Sequence, residues 1–183
     1  MSKIALTGNA SGTGTLTIAA PNTNTDRTLT LPDEAGTVLT SASTTVLPKG
    51  VPAFYAYQSS NQSITGATNV KVNLEAERYD YGGFFDSTTN YRFQPTTAGL
   101  YQITGCVQTN GGAIYLQTMI FKNGVREVLG AIGNSYYQSL ATGLVYLNGS
   151  TDYVELYVYG GVSFNSQNGA PFTFLCGVLV RAE

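Results

Sequence analysis

From residue 53 onward, apolar and polar side chains alternate in short runs separated by turn-forming residues. Val70, Val72 and Leu74 alternate with Lys71 and Asn73, and Val154, Leu156 and Val158 alternate with Glu155 and Tyr157. A period of two is the mark of a strand buried on one face. Tyr91 and Phe93 sit two apart and share one face of a short strand, which Pro95 ends because it has no N–H to give. Thr96-Thr97-Ala98-Gly99 predicts a turn, with Gly99 where φ must be positive, and Leu100–Thr109 the next strand. Further strands are predicted over Ala53–Gln58, Asn69–Leu74, Ile114–Phe121, Val125–Gly130, Tyr136–Val145, Tyr153–Tyr159 and Phe172–Val180. Lys122-Asn123-Gly124 predicts a hairpin, and Leu147-Asn148-Gly149-Ser150-Thr151-Asp152 another turn. No segment carries a helical period. The expected fold is all-β, a β-sandwich or jelly roll of about ten antiparallel strands.

Two of these strands lack a face for water. Opposite Val154, Leu156 and Val158 lie Tyr153, Glu155, Tyr157 and Tyr159. In the last strand Phe172, Phe174, Cys176, Val178 and Val180 share one face, yet Leu175 and Leu179 point the other way. A strand in a monomeric sandwich needs only one apolar face, so a loop or another subunit must cover the second. Tyrosine, with an apolar body and a polar tip, suits such contacts. Tyr153, Glu155, Tyr157, Tyr159, Leu175 and Leu179 are therefore the candidate subunit-interface residues.

The aromatic residues divide the chain. All 13 Tyr and 8 Phe lie between Phe54 and Phe174, and there is no Trp. A stretch of this length without aromatics buries too little surface to stand alone. Three domains are expected: an arm over 1–40, a linker over 41–52 and a head over 53–183. The arm has short alternating runs with Leu16 and Ile18, Leu29 and Leu31, and Val38 with Leu39. These six are the candidate anchoring residues, packing on neighbouring copies or a larger host. Pro48 and Pro52 keep the linker extended.

Composition narrows the function. Only 11% of residues are charged, so polarity comes mainly from hydroxyls and amides, a surface that costs little to cover permanently. A net charge of −2 offers no footprint for nucleic acid. No apolar run approaches the roughly 20 residues of a membrane span, and the N-terminus does not read as a secretory signal. Cys106 and Cys176 read as two buried free thiols, with a disulfide between them as the alternative. Without any His, neither a Ser-His-Asp triad nor a Cys-His pair can form within the chain, and nothing matches a zinc site. Gly12-Thr13-Gly14 and Gly111-Gly112 lack the Lys-Ser/Thr that completes a phosphate loop. Paired carboxylates drawn from Glu75, Glu77, Asp80, Asp86, Asp152 and Glu155 are the remaining catalytic option, and Glu155 could also meet its copies or a cation at a threefold axis. The expectation is a protein that is not an enzyme and carries no cofactor or metal.

Five motifs fall in one order: Tyr91-Arg92-Phe93-Gln94-Pro95, Ala98-Gly99-Leu100-Tyr101-Gln102-Ile103, Lys122-Asn123-Gly124, Leu147-Asn148-Gly149 and Phe174-Leu175-Cys176-Gly177-Val178-Leu179. Through them, residues 52–183 resemble the complement globular head, the jelly roll shared with tumour-necrosis-factor-like proteins. Where that family has Gly-Asp before the strand near Tyr153, this chain has Gly149-Ser150-Thr151-Asp152. The resemblance implies a compact trimer about a threefold axis, its inner sheet packed through faces such as Tyr153, Tyr157 and Tyr159. Gly14–Pro21 and Arg27–Leu39 resemble a segment recurrent in tailed-bacteriophage virion proteins, which commonly stands ahead of a receptor-binding or decorating head. Together the resemblances imply a homotrimeric capsid decoration or cement protein on the virion surface, docked on the major capsid protein or other virion proteins. The alternatives are a short tail fibre or adhesin binding a host surface glycan through loop aromatics such as Tyr136-Tyr137, and a glycan hydrolase.

Overall fold

The computed structural model describes residues 11–15, 17, 22–26, 28, 51–111, 114–131 and 133–183. The arm residues Leu16, Ile18, Leu29, Leu31, Val38 and Leu39, and most of the linker, lie outside the described residues. The chain divides into two units, Met1–Thr40 and Ser41–Glu183.

The described part of the second unit is built from strands, with no helix. In chain order these are β1 (Ala53–Tyr57), β2 (Ser63–Ile64), β3 (Asn69–Lys71), β4 (Ala76–Tyr81), β5 (Phe85–Asp86), β6 (Arg92–Phe93) and β7 (Ala98–Gln108). There follow β8 (Ile114–Lys122), β9 (Val125–Leu129), β10 (Gly133–Tyr136), β11 (Gln138–Asn148), β12 (Val154–Gly160), β13 (Phe164–Asn165) and β14 (Phe174–Ala182). A front sheet of five strands has the order β11-β7-β14-β1-β4. A back sheet of seven contains β10-β8-β12-β6-β5, with β3 joined to β12 and β9 to β8. All the pairings are antiparallel, and first and last strands lie side by side at the centre of the front sheet. This is the expected sandwich, a jelly roll.

The core lies between the sheets. Phe54 of β1 stacks on Phe93 of β6 at 4.1 Å between ring centroids, and Tyr101 of β7 meets Phe93 edge-on at 5.6 Å. Tyr101 is fully buried; its hydroxyl donates to the Thr97 carbonyl at 2.7 Å, and burial pushes it up to about 12. Val154, Leu156 and Val158 supply the core face of β12, as the alternation predicts.

The phase of β14 is the reverse of the pattern reading. Leu175 is 0% exposed and belongs to the core, and Leu179 packs against it, while Val178 and Val180 face outward. The reason is Gly177, which shares the inward face with them. A Cβ there would lie 2.5 Å from Ile103 Cδ1 and 2.9 Å from Phe54 Cε1, so two large neighbours fill the space a side chain would take. The inward face of β14 is thus the less apolar one in sequence. Two smaller differences follow the same motif. Tyr91 is not in a strand but adopts φ 48° ahead of a two-residue β6, and Gly99 lies inside β7 rather than in a turn. The single strand expected over Tyr136–Val145 is instead interrupted at Tyr137, which separates β10 from β11.

Candidate subunit interface

The outward face of the front sheet carries an apolar surface that the described residues leave uncovered. The strand registers place its side chains in rows. Tyr81, Ala53, Val178, Gln102 and Leu144 form one row from β4 to β11. Tyr79, Tyr55, Cys176, Thr104 and Thr142 form the next, and Tyr57, Phe174, Cys106 and Leu140 a third. Leu100 and Tyr146 pair at the far end, near Val180. Tyr81, Val180 and Leu144 are 62%, 60% and 58% exposed.

Aromatic contacts order one half of this surface. Tyr79 stacks on Tyr81 at 5.4 Å, and Tyr55 stacks on Phe174 at 5.0 Å. Tyr55 donates its hydroxyl to the Ala170 carbonyl at 2.6 Å, and Arg78 lies 4.9 Å from its ring centre. In the other half the polar groups satisfy one another. Gln102 Nε2 donates to Thr142 Oγ1 at 2.9 Å, and the Thr104 and Thr142 hydroxyls are 2.8 Å apart. Covering these groups strands few donors, so removing this face from water is cheap. Both thiols point to this side of the sheet and are free, Cys106 buried and Cys176 half-buried. Burial pushes Cys106 up to about 11 and raises Cys176, so neither is poised as a nucleophile.

The six residues expected at an interface do not lie on this surface. Tyr153, next to β12, and Glu155, Tyr157 and Tyr159 within it belong to the back sheet, on the opposite side of the sandwich, and each is occupied within the chain. Tyr157 stacks on Phe121 at 4.0 Å, Tyr159 meets Tyr115 edge-on at 5.7 Å, and Arg92 lies 4.4 Å from the Tyr153 ring centre. Glu155 is buried and bound to Lys71 Nζ of the neighbouring β3 at 2.5 Å, so its counter-charge is intramolecular. Leu175 is in the core, and Leu179 packs on it from the same side. Of the strands read as two-faced, only β14 meets the uncovered surface, through its other face. Leu100, Leu140, Leu144 and Tyr146 escaped the reading. Their signal was present in β11, where Leu140, Leu144 and Tyr146 interleave with buried Ala141, Val145 and Leu147.

The carboxylates hold structure. Asp86 accepts from the backbone N–H groups of Thr89 at 2.9 Å and Thr88 at 3.0 Å, which hold it well below the usual carboxylate range. Asp152 is lowered by Asn123 Nδ2 at 2.7 Å, with help from Lys122 and the Asn148 N–H. Asp80 is raised by burial, which outweighs the Phe85 N–H bond. Glu75 accepts from Ser59 N at 2.9 Å, and Glu77 is exposed on β4. Among the described residues no three of His, Cys, Asp and Glu cluster as a metal site.

No protein-family model and no curated protein sequence matches the chain. Its fold does match solved structures. Murine APRIL aligns with a TM-score of 0.57 at 12% identity, covering 70% of this chain and 98% of that one. Eiger TNF from S. frugiperda gives 0.56 at 9%, covering 73% and 95%. The vertex protein P5 of phage PRD1 gives 0.56 at 14%, covering 72% and 99%. The head therefore has the tumour-necrosis-factor-like jelly-roll fold.

Proposed function

We propose that this chain is a bacteriophage virion structural protein that self-associates into a homotrimer through the outward face of its front sheet. The observation that carries the proposal is that uncovered apolar surface. Strands about 4.8 Å apart and 17–35 Å long give the whole face, its polar rows included, an area on the order of 500 Å². Apolar patches of a few hundred Å² rimmed by polar groups commonly mark sites of protein contact. A threefold arrangement covers one such face on each of three copies and closes without leftover surface. The virion role is supported by the likeness of the fold to the PRD1 vertex protein and by the resemblance of residues 14–39 to phage virion segments. In this reading the arm anchors the trimer on the major capsid protein or another virion protein, and the head projects outward as a decoration or cement.

Two measurements test the reading. Light scattering on the intact chain should give three times the chain mass, and Leu144→Arg should reduce it to one. A wild-type monomer overturns the interface. Immunogold microscopy with antibody to residues 53–183 should label virion heads; gold confined to tails points to a fibre, and unlabelled particles overturn the virion role.

A further inference from the structure

The outward face of the back sheet holds a cleft of about 370 Å³, lined by Asn69, Tyr115, Gln117, Met119, Arg126, Tyr159 and Gly161. Its parts come together through register. Asn69, Tyr159 and Gln117 form one row across β3, β12 and β8, and Arg126 of β9 lies opposite Phe121, farther along β8. Tyr115 stands edge-on to Tyr159 and is 36% exposed, so it keeps ring surface for a ligand. Gly161 donates its N–H to the Tyr115 carbonyl at 2.9 Å, and a Cβ on it would come within 3.1 Å of Tyr115 Cβ; a glycine thus fits beside the ring.

Two groups in the cleft lack partners. Gln117 donates its Nε2 to the Gly130 carbonyl at 3.1 Å, while its Oε1 accepts no hydrogen bond among the described residues and still reaches solvent. Arg126 forms no ion pair among the described residues. Among the described residues no carboxylate lines the cleft, and Glu155 of β12, opposite Phe121, is bound to Lys71. A guanidinium without an ion pair, in one cleft with an aromatic ring and amide groups, is the chemistry that recognises an acidic sugar. The ring takes the C–H face of a pyranose, the amides take its hydroxyls, and Arg126 takes a carboxylate through paired N–H donors.

We propose that this cleft binds a saccharide bearing a carboxylate, such as a hexuronic acid unit of a surface polysaccharide. The site lies on the sheet opposite the proposed interface and stands independently of the assembly. Its test is calorimetric titration of the full chain with galacturonate and with galactose, which differ only at C6, and with acetate as a carboxylate without a ring. Galacturonate should bind with a Kd on the order of 1 mM, and galactose and acetate about tenfold or more weakly. Arg126→Gln, at an exposed and unpaired position, should lower galacturonate affinity to that of galactose while leaving galactose unchanged. Equal affinity for the two sugars, equal binding of acetate, an unaffected Arg126→Gln variant or no binding at all would each overturn the proposal.

Discussion

At the scale of single residues, neighbours in β14 have opposite tasks. Leu175 fills the core, so Leu175→Ala should cost on the order of 2–5 kcal/mol in urea unfolding. Val178 faces outward, so Val178→Lys should change unfolding of the isolated chain little and weaken self-association, read as a fall in mass on dilution. Acid sensitivity also resides in single side chains. Asp86 stays ionised in the fold to lower pH than in the unfolded chain, where an aspartate titrates near about 3.9. Its stabilisation is complete above about pH 4 and is lost as pH falls. Asp80 acts in the opposite sense: its raised carboxyl takes a proton more readily when folded, which adds stability as pH falls through its folded value. Asp86→Asn should therefore flatten the loss of urea midpoint between about pH 4 and pH 2, and a slope identical to wild type would remove Asp86 from the account.

At the scale of elements, the hairpin between β8 and β9 shows how local chemistry sets a register. Asn123 and Gly124 both have positive φ, 52° and 76°, the geometry whose twist matches paired strands. The Asn123 side chain then accepts from Tyr153 N at 3.0 Å and donates to Asp152 at 2.7 Å, tying the hairpin to the entry of β12. Asn148 organises the opposite side of that entry, accepting from the N–H groups of Ser150, Thr151 and Asp152 at 3.0 Å each. The two residues between Gly149 and Asp152 thus fit a side-chain-capped turn. Asn123→Ala removes the bridge and puts a residue without a polar side chain at positive φ. A loss of about 1–3 kcal/mol is expected from thermal or urea unfolding.

At the scale of the whole molecule, the two sheets present outer faces of different character. The outer face of the front sheet is largely apolar, with Gln102, Thr104 and Thr142 bonded to one another. The back sheet pairs Lys71 with Glu155 and leaves Arg126 without an ion pair among the described residues. If the arm anchors and the head trimerises, the two properties should separate. Deleting residues 1–48 should abolish attachment to particles, measured by cosedimentation, yet leave a soluble trimer by light scattering. In the intact chain, three weak arms acting together would gain affinity through effective concentration. A truncated head that proves monomeric would put the assembly determinants in the arm.

Period-two alternation and turn residues were sufficient for the all-β class, most of the longer strands and the hairpin at Asn123-Gly124, because each depends on neighbours a few residues apart. Strand β4, which has no regular alternation of apolar and polar side chains, was missed. The core face of β12 was legible for the same reason. The direction of β14 was not, since it depends on Phe54 and Ile103 filling the space above Gly177 from elsewhere in the chain. The candidate interface was legible only as a property, strands with two apolar faces. Its location needed the sheet order, which sets β11, β7, β14, β1 and β4 side by side and sends the tyrosines of β12 to the other layer. Alternation tells which side chains share a face; only the packing of distant strands decides which face is buried and which remains for a partner.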